Sequence, residues 1–263
     1  MNHRSSRQLS EQLAVIDRPS DRMRGQRRIR GLLVTGTDTG VGKTVLACAI
    51  AATLADRGER VAVFKPAVTG LDEGGLPDHE LLRASARSQQ ELSEIAPYRF
   101  GPPVSPHLAA ELAGVRIAPE AILEAARAAA AEADVLIVEG VGGLLVPLTP
   151  VYLVRDLAAD LGLPLVVAAR PGLGTINQSL LTIEAARRAG LSLASVVLTP
   201  WPEQPGEVER SNRAAIASRG GIEVATLGPL YTGPPISGAG DLPIEAWLSV
   251  PSQPVPFRIA ATR

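Results

Sequence analysis

The sequence of 263 residues is short of aromatics, which make up 3% of it, and it holds one cysteine and only two lysines. With so few aromatic rings, a hydrophobic core has to be built from Ala, Val, Leu and Ile. The lone cysteine, Cys48, excludes an intrachain disulfide and suits a reducing compartment, so a cytoplasmic location is expected. No apolar run reaches the roughly 18 residues that a membrane-spanning helix needs, and no membrane partner is expected. A formal net charge of −1 speaks against nucleic acid as a partner.

The lysine shortage is selective. Lysine and arginine together number 26, yet the only lysines are Lys43 and Lys65. Surface lysines and arginines often interchange, but a compact ammonium beside a phosphate is not replaced by a guanidinium. Each lysine follows a predicted strand, which makes both candidates for chemistry.

Residues 29–35, 60–64, 134–138, 164–169, 193–198 and 223–227 are short apolar, β-branched runs that read as buried strands. Between them lie helical stretches at 43–56, from about 78, at 119–132, 175–189 and 211–218. Residues 97–106 and 140–150 read as irregular, rich in proline and glycine. Strands apolar on both faces that alternate with helices predict an α/β fold with a mainly parallel β-sheet flanked by helices on both faces. The expected organisation is one domain over 29–232, preceded by a disordered Arg-rich extension, 1–28, that lacks an apolar signal-peptide core. A Pro/Gly-rich segment without clear periodicity follows at 233–263.

Between the first strand and first helix runs Gly36, Thr37, Asp38, Thr39, Gly40, Val41, Gly42, Lys43, Thr44. This is the setting of a phosphate-binding loop. Backbone N–H groups of such a turn face phosphate oxygens, and the helix N-terminus adds partial positive charge. Lys43 would reach the β- and γ-phosphates, and the Thr44 hydroxyl would bind Mg²⁺. The loop is one residue longer than the generic motif, since Thr37 stands where the first glycine is expected.

Other candidates lie at strand ends, where open parallel sheets bind ligands. Lys65 follows the second strand and could neutralise a transferring phosphoryl group. Glu139 ends an apolar strand, a usual place for a Mg²⁺ contact, and opens Gly140, Val141, Gly142, Gly143. Asp78 alone reads as a plain helix N-cap. Ser105, Pro106 and His107 could touch substrate, and residues 172–177 could present N–H groups to a carboxylate. Cys48 reads as inert core.

Taken together and in this order, Gly36 to Thr44, Lys65-Pro66 with Thr69-Gly70, Asp78, Ser105-Pro106-His107, Glu139 to Gly143 and Gly174 to Asn177 resemble the dethiobiotin synthetases, P-loop NTPases with the same longer loop. The resemblance spans roughly residues 29–231. It implies closure of a cyclic urea on 7,8-diaminononanoate with CO₂ and ATP, through a carbamate and a carbamic-phosphoric anhydride. It implies catalytic roles for Lys65, Lys43 and Thr39, and Mg²⁺ held by Thr44, Asp78 and Glu139. Nucleotide contacts are implied at Gly40, Val41, Gly42, Lys43, Thr44, Val45, Asp78, Glu139, Gly140, Val141, Gly142, Thr199, Pro229, Leu230 and Tyr231. Substrate contacts are implied at Thr69, Thr175 and Asn177, the last two across a homodimer interface. Many members carry Asn where Thr199 stands here; threonine has no amide to pair with adenine, so a loose base preference is expected.

Two rivals share the loop. Partitioning-type regulatory NTPases carry an extra signature lysine where this chain has Asp38. Cobalamin-type amidoligases usually bring a glutaminase domain, and no cysteine besides Cys48 is present for one.

Overall fold

Strands without a polar face are stable only when both faces are covered, and the helices here provide that cover. The protein is described by a computed structural model over residues 29–229 and 240–251. Its strands are β1 (Gly31–Gly36), β2 (Val61–Phe64), β3 (Ala67–Val68), β4 (Tyr98–Arg99), β5 (Val135–Gly143), β6 (Pro147–Thr149), β7 (Tyr152–Leu153), β8 (Leu165–Ala169), β9 (Leu193–Leu198) and β10 (Val224–Thr226). Its helices are α1 (Lys43–Asp56), α2 (Asp78–Ala86), α3 (Leu92–Ile95), α4 (Pro106–Ala113), α5 (Pro119–Ala131), α6 (Val154–Leu161), α7 (Thr175–Arg188), α8 (Glu207–Gly220) and α9 (Ile244–Leu248).

Six strands form one parallel sheet in the order β10-β9-β8-β1-β5-β2. The expected fold class is therefore observed. β1 sits between β5 and β8, and the chain order reverses there. Ligand crevices of open parallel sheets lie beyond the C-terminal strand ends at such a point. The core is aliphatic, as the composition requires. α1 is buried nearly all round, from Leu46 to Ala52 and at Leu54, and packs with Leu82, Ile95 and Trp247 on one face of the sheet. Ile122, Ala126, Leu157 and Leu161 pack with Leu136 and Val138 on the other.

Three stretches differ from the sequence reading. Residues 140–143 are not loop: β5 continues through them, and Gly36 pairs with Gly143 after a register shift beyond Val34. Glycine disfavours strands, but the end of β1 offers the backbone a partner. Within the remainder of 140–150, only β6 is regular, and it pairs antiparallel with β7. Likewise 97–106 is not wholly irregular, because β4 pairs in parallel with β3 and Pro106 opens α4. Finally, α9 lies in the segment read as aperiodic, and its Ile244 and Trp247 are buried in the core. The extension 1–28 falls outside the described residues.

Candidate active site

The phosphate loop begins where β1 ends. Gly42 caps α1 with φ 89, a left-handed conformation that glycine adopts without a Cβ penalty. A Cβ there would lie 2.9 Å from the Thr199 methyl, so two independent reasons hold this position to glycine. Thr199 itself is buried and props the loop from below; its backbone N–H donates to the Ala169 carbonyl at 2.9 Å. Val41 points into the core, and Val45 packs against the same cluster. These two residues thus have only backbone to offer a ligand. Lys43 Nζ donates to the Asp38 carbonyl at 2.9 Å, spanning the loop. Burial pushes its pKa below the ordinary ammonium value.

Across from the loop, the end of β2, the start of α2 and the middle of β5 bring three charged groups together; Glu139 does not end its strand as expected, because β5 runs on to Gly143. Lys65 Nζ lies 2.6 Å from Asp78 Oδ2 and 2.7 Å from Glu139 Oε1. Lys65 and Glu139 are buried, at 4% and 0% side-chain exposure, whereas Asp78 retains 39%. The Thr44 hydroxyl is 3.0 Å from Asp78 Oδ1 and 2.8 Å from Glu139 Oε1, and its single proton serves one carboxylate at a time. Burial opposes charge on Lys65, but the Glu139 and Asp78 carboxylates outweigh it and hold the ammonium above its usual value. For Asp78, burial is likewise overcome by the Lys65 ammonium, leaving its carboxyl below the usual range. Glu139 is pushed up, because burial exceeds the pull of Lys65 and Asp78 adds repulsion.

Asp78 is not the N-cap that its sequence context suggests. Pro77 occupies that position and Asp78 is the first helical residue, which frees its carboxylate for Thr44 and Lys65. Among the described residues there is no group of three or more His, Cys, Asp or Glu able to hold a metal. The Thr44 hydroxyl completes an all-oxygen set with Asp78 and Glu139. Glu139 Oε2 is buried without a hydrogen-bond partner. An all-oxygen, partly anionic set of this kind fits Mg²⁺.

The remaining expected residues lie on several elements. Gly140, Val141 and Gly142 run along β5 past the loop, and a Cβ at Gly140 would press within 2.9 Å of Val154 Cγ1. Thr39 Oγ1 lies 3.6 Å from where a Gly142 Cβ would be. Thr69 follows β3, in a turn fixed by the Gly70 N–H donating to the Pro102 carbonyl at 3.1 Å. Thr175 is buried in the first turn of α7, and Asn177 beside it is exposed. Pro229 is exposed, while Leu230 and Tyr231 fall outside the described residues. Ser105 Oγ and His107 Nδ1 bond each other at 3.0 Å. Trp201 packs beside Leu198 and Ile216.

Sequence reasoning passed over Arg170. It directly follows β8, and its guanidinium donates to the Thr39 carbonyl at 3.0 Å. The strand-end criterion that selected Lys65 and Glu139 would have selected it too.

A parallel sheet, a glycine-rich loop capped by Lys-Thr and a buried acid on the neighbouring strand define a P-loop nucleotide-binding protein. A family model described as an AAA domain matches residues 30–230. The ATP-dependent dethiobiotin synthetase BioD of Anaeromyxobacter dehalogenans (strain 2CP-1) is 49% identical over 72% of this chain and 85% of that protein. Enzymes of the same name from Rhodococcus erythropolis and Bacillus subtilis (strain 168) are 38% and 36% identical over 76% of this chain and 88% and 87% of their own lengths. This chain belongs to the ATP-dependent dethiobiotin synthetase family. Among solved structures, the cell division protein ftsY of Thermotoga maritima aligns at a TM-score of 0.45 and 15% identity, over 76% of this chain and 61% of that one, too loosely to bear on function.

Proposed function

We infer that this chain is an ATP-dependent dethiobiotin synthetase of biotin biosynthesis, which converts 7,8-diaminononanoate, CO₂ and ATP into dethiobiotin, ADP and phosphate. One substrate amine adds to CO₂ and loses a proton, giving a carbamate. A carbamate oxygen attacks the γ-phosphorus as the bond to ADP breaks. The second amine then attacks the carbamoyl carbon of the mixed anhydride, and phosphate leaves as the ring closes.

The convergence of Lys43, Thr44, Lys65, Asp78 and Glu139 on one rim of the sheet, in a chain of this family, carries the reading. The loop N–H groups and Lys43 hold the phosphates. Lys65 remains an ammonium throughout the neutral range and offsets charge that gathers on the transferring group. Thr44, Asp78 and Glu139 would hold Mg²⁺, which when bound neutralises phosphate charge. A homodimer is part of the reading. Leu173, fully exposed just before α7, and the exposed Asn177 support contact with a second copy at that helix start. A cytoplasmic location fits the free thiol of Cys48; among the described residues no helix is long and apolar enough to cross a membrane.

The test is product formation from 7,8-diaminononanoate, bicarbonate, MgCl₂ and ATP, with Lys65→Ala as control. Dethiobiotin from the wild type and not from the variant is expected. ATP binding without any dethiobiotin from the wild type would overturn the reading.

A further inference from the structure

The phosphate loop carries one residue more than the generic motif, and that surplus needs holding. A longer turn has more conformations available, and any that shifts Thr39 carries its hydroxyl out of place. Two cations grip the surplus in this structure. Lys43 takes the Asp38 carbonyl from inside, at 2.9 Å. Arg170 takes the next carbonyl, that of Thr39, from outside, at 3.0 Å. Its Nη2 also lies 3.5 Å from where a Gly40 Cβ would be, so the guanidinium lies along the outer turn.

Arg170 is itself anchored. Its neighbour Ala169 ends β8, which pairs with β1 directly beneath the loop, and the Thr37 N–H donates to the Ala168 carbonyl at 3.0 Å. On its other side the chain is clamped by Asn212 of α8. The Asn212 amide donates to the Pro171 and Gly172 carbonyls at 2.9 and 3.1 Å. Only 9% of Asn212 is exposed. With its carbonyl drawn toward Arg170, Thr39 keeps its hydroxyl on the Gly142 side, 3.6 Å from the Gly142 Cβ position.

We propose that Arg170 is a positioning residue for phosphoryl transfer: it pins the surplus residue of the phosphate loop through the Thr39 carbonyl and so fixes where the Thr39 hydroxyl stands. The proposal deepens the synthetase reading above and rests on it for the reaction, but its geometric part does not depend on the substrate. That part is tested without ligand, by hydrogen exchange of peptides covering residues 36–42 in wild type and Arg170→Ala. Exchange in this loop is expected to rise about tenfold in the variant, the factor lost with one charge-assisted hydrogen bond, and to stay unchanged in β5 and β9. Wild-type exchange in the loop overturns the proposal.

The catalytic part is read from dethiobiotin formation. Arg170→Ala is expected to lower kcat about 10- to 100-fold while the Kd for ATP changes less than about threefold. Arg170→Lys restores part of the rate, because an ammonium can still reach the carbonyl. In a Thr39→Ala background the same Arg170→Ala change is expected to cost nothing more, since its effect passes through Thr39. A full additional loss in that background, or a raised Kd for ATP with unchanged kcat, would make Arg170 a direct ligand instead and refute the positioning role. A wild type that makes no dethiobiotin sinks the synthetase reading, and the exchange experiment still decides whether Arg170 holds the loop.

Discussion

Lys65→Ala has a consequence for stability that is separate from its effect on turnover. The ammonium is the countercharge for Glu139, which has no exposure, and for Asp78, which is partly open. Its removal leaves Glu139 as an uncompensated buried charge facing a second carboxylate, joined to it only by the Thr44 hydroxyl. Breaking a buried pair in this way costs about 3–5 kcal/mol. The Asp78 share is discounted because solvent screens it, which puts the expected loss near 3 kcal/mol at pH 8. The chain can recover part of that loss by protonating Glu139, whose carboxyl burial already pushes up from 4.5. A carboxyl raised on folding stabilises the folded state fully below its unfolded pKa and loses that contribution as pH rises through the folded one. Each pH unit between the two values returns about 1.4 kcal/mol on acidification. Urea unfolding of wild type and variant, in EDTA at pH 8 and pH 5.5, measures the difference. The gap is expected to narrow by about 1–2 kcal/mol at the lower pH, and Lys65→Ala/Glu139→Gln is expected to recover most of the loss at pH 8. A variant as stable as wild type at pH 8, or a gap independent of pH, would refute the reasoning.

Lys43→Ala should behave in the opposite way, because Lys43 hydrogen-bonds a main-chain carbonyl and leaves no carboxylate stranded. Its urea midpoint should stay close to that of wild type while ATP turnover is lost. Cys48 is fully buried with its thiol pushed up to about 12 by burial, so Ellman's reagent should leave the native protein unlabelled and react in 6 M guanidinium; rapid native labelling would contradict the packing of α1. Trp247→Ala empties a fully buried aromatic site on α9 and should cost about 3–5 kcal/mol in chemical denaturation. Thr199 is buried and has no amide, so CTP and GTP should support turnover within about tenfold of ATP; discrimination above about 10⁴, the level that a dedicated hydrogen bond provides, would show that the base is read elsewhere.

The alternation of apolar strands and helices made the sheet legible, because strands buried on both faces leave an uninterrupted apolar signal. β9 and α1 match their sequence-based limits. The elements that were not legible are those whose backbone is paired through tertiary structure. The glycines at 140, 142 and 143 signal a loop by propensity, yet β1 supplies hydrogen bonds that propensity does not see. α6 was legible in principle: Val154, Leu157, Ala158 and Leu161 recur at helical spacing, and Asp156 accepts from the Leu153 N–H at 2.8 Å. At the site, strand-end position pointed to Lys65 and Glu139, but nothing in the sequence shows that the two meet. Their pairing depends on β2 and β5 being neighbours, which the chain order 1, 2, 5 does not state. Asp78 was uninformative alone because its context is that of any helix start; its place one residue inside the helix and its contacts with Lys65 and Thr44 separate it from a cap.

That pairing also bears on the metal. Lys43 and Lys65 carry two positive charges and Asp78 and Glu139 two negative ones, so the centre is formally neutral without a cation. Mg²⁺ is therefore not needed to hold the fold together, and chelation should stop turnover without unfolding the enzyme. In Lys65→Ala the balance changes: two carboxylates face one another with no ammonium between them, and a divalent cation becomes a structural countercharge. A ligand at about 100 times its Kd adds about 2.7 kcal/mol to the folded state, which for a domain of this size is a rise of about 5–10 °C in Tm. Thermal melts in EDTA and in 10 mM MgCl₂ should accordingly differ by no more than about 2 °C for wild type and by about 5 °C or more for Lys65→Ala. Equal shifts in the two proteins would mean that Lys65 is not the group that balances Asp78 and Glu139, and the assignment of these carboxylates to a shared cation site would fall with it.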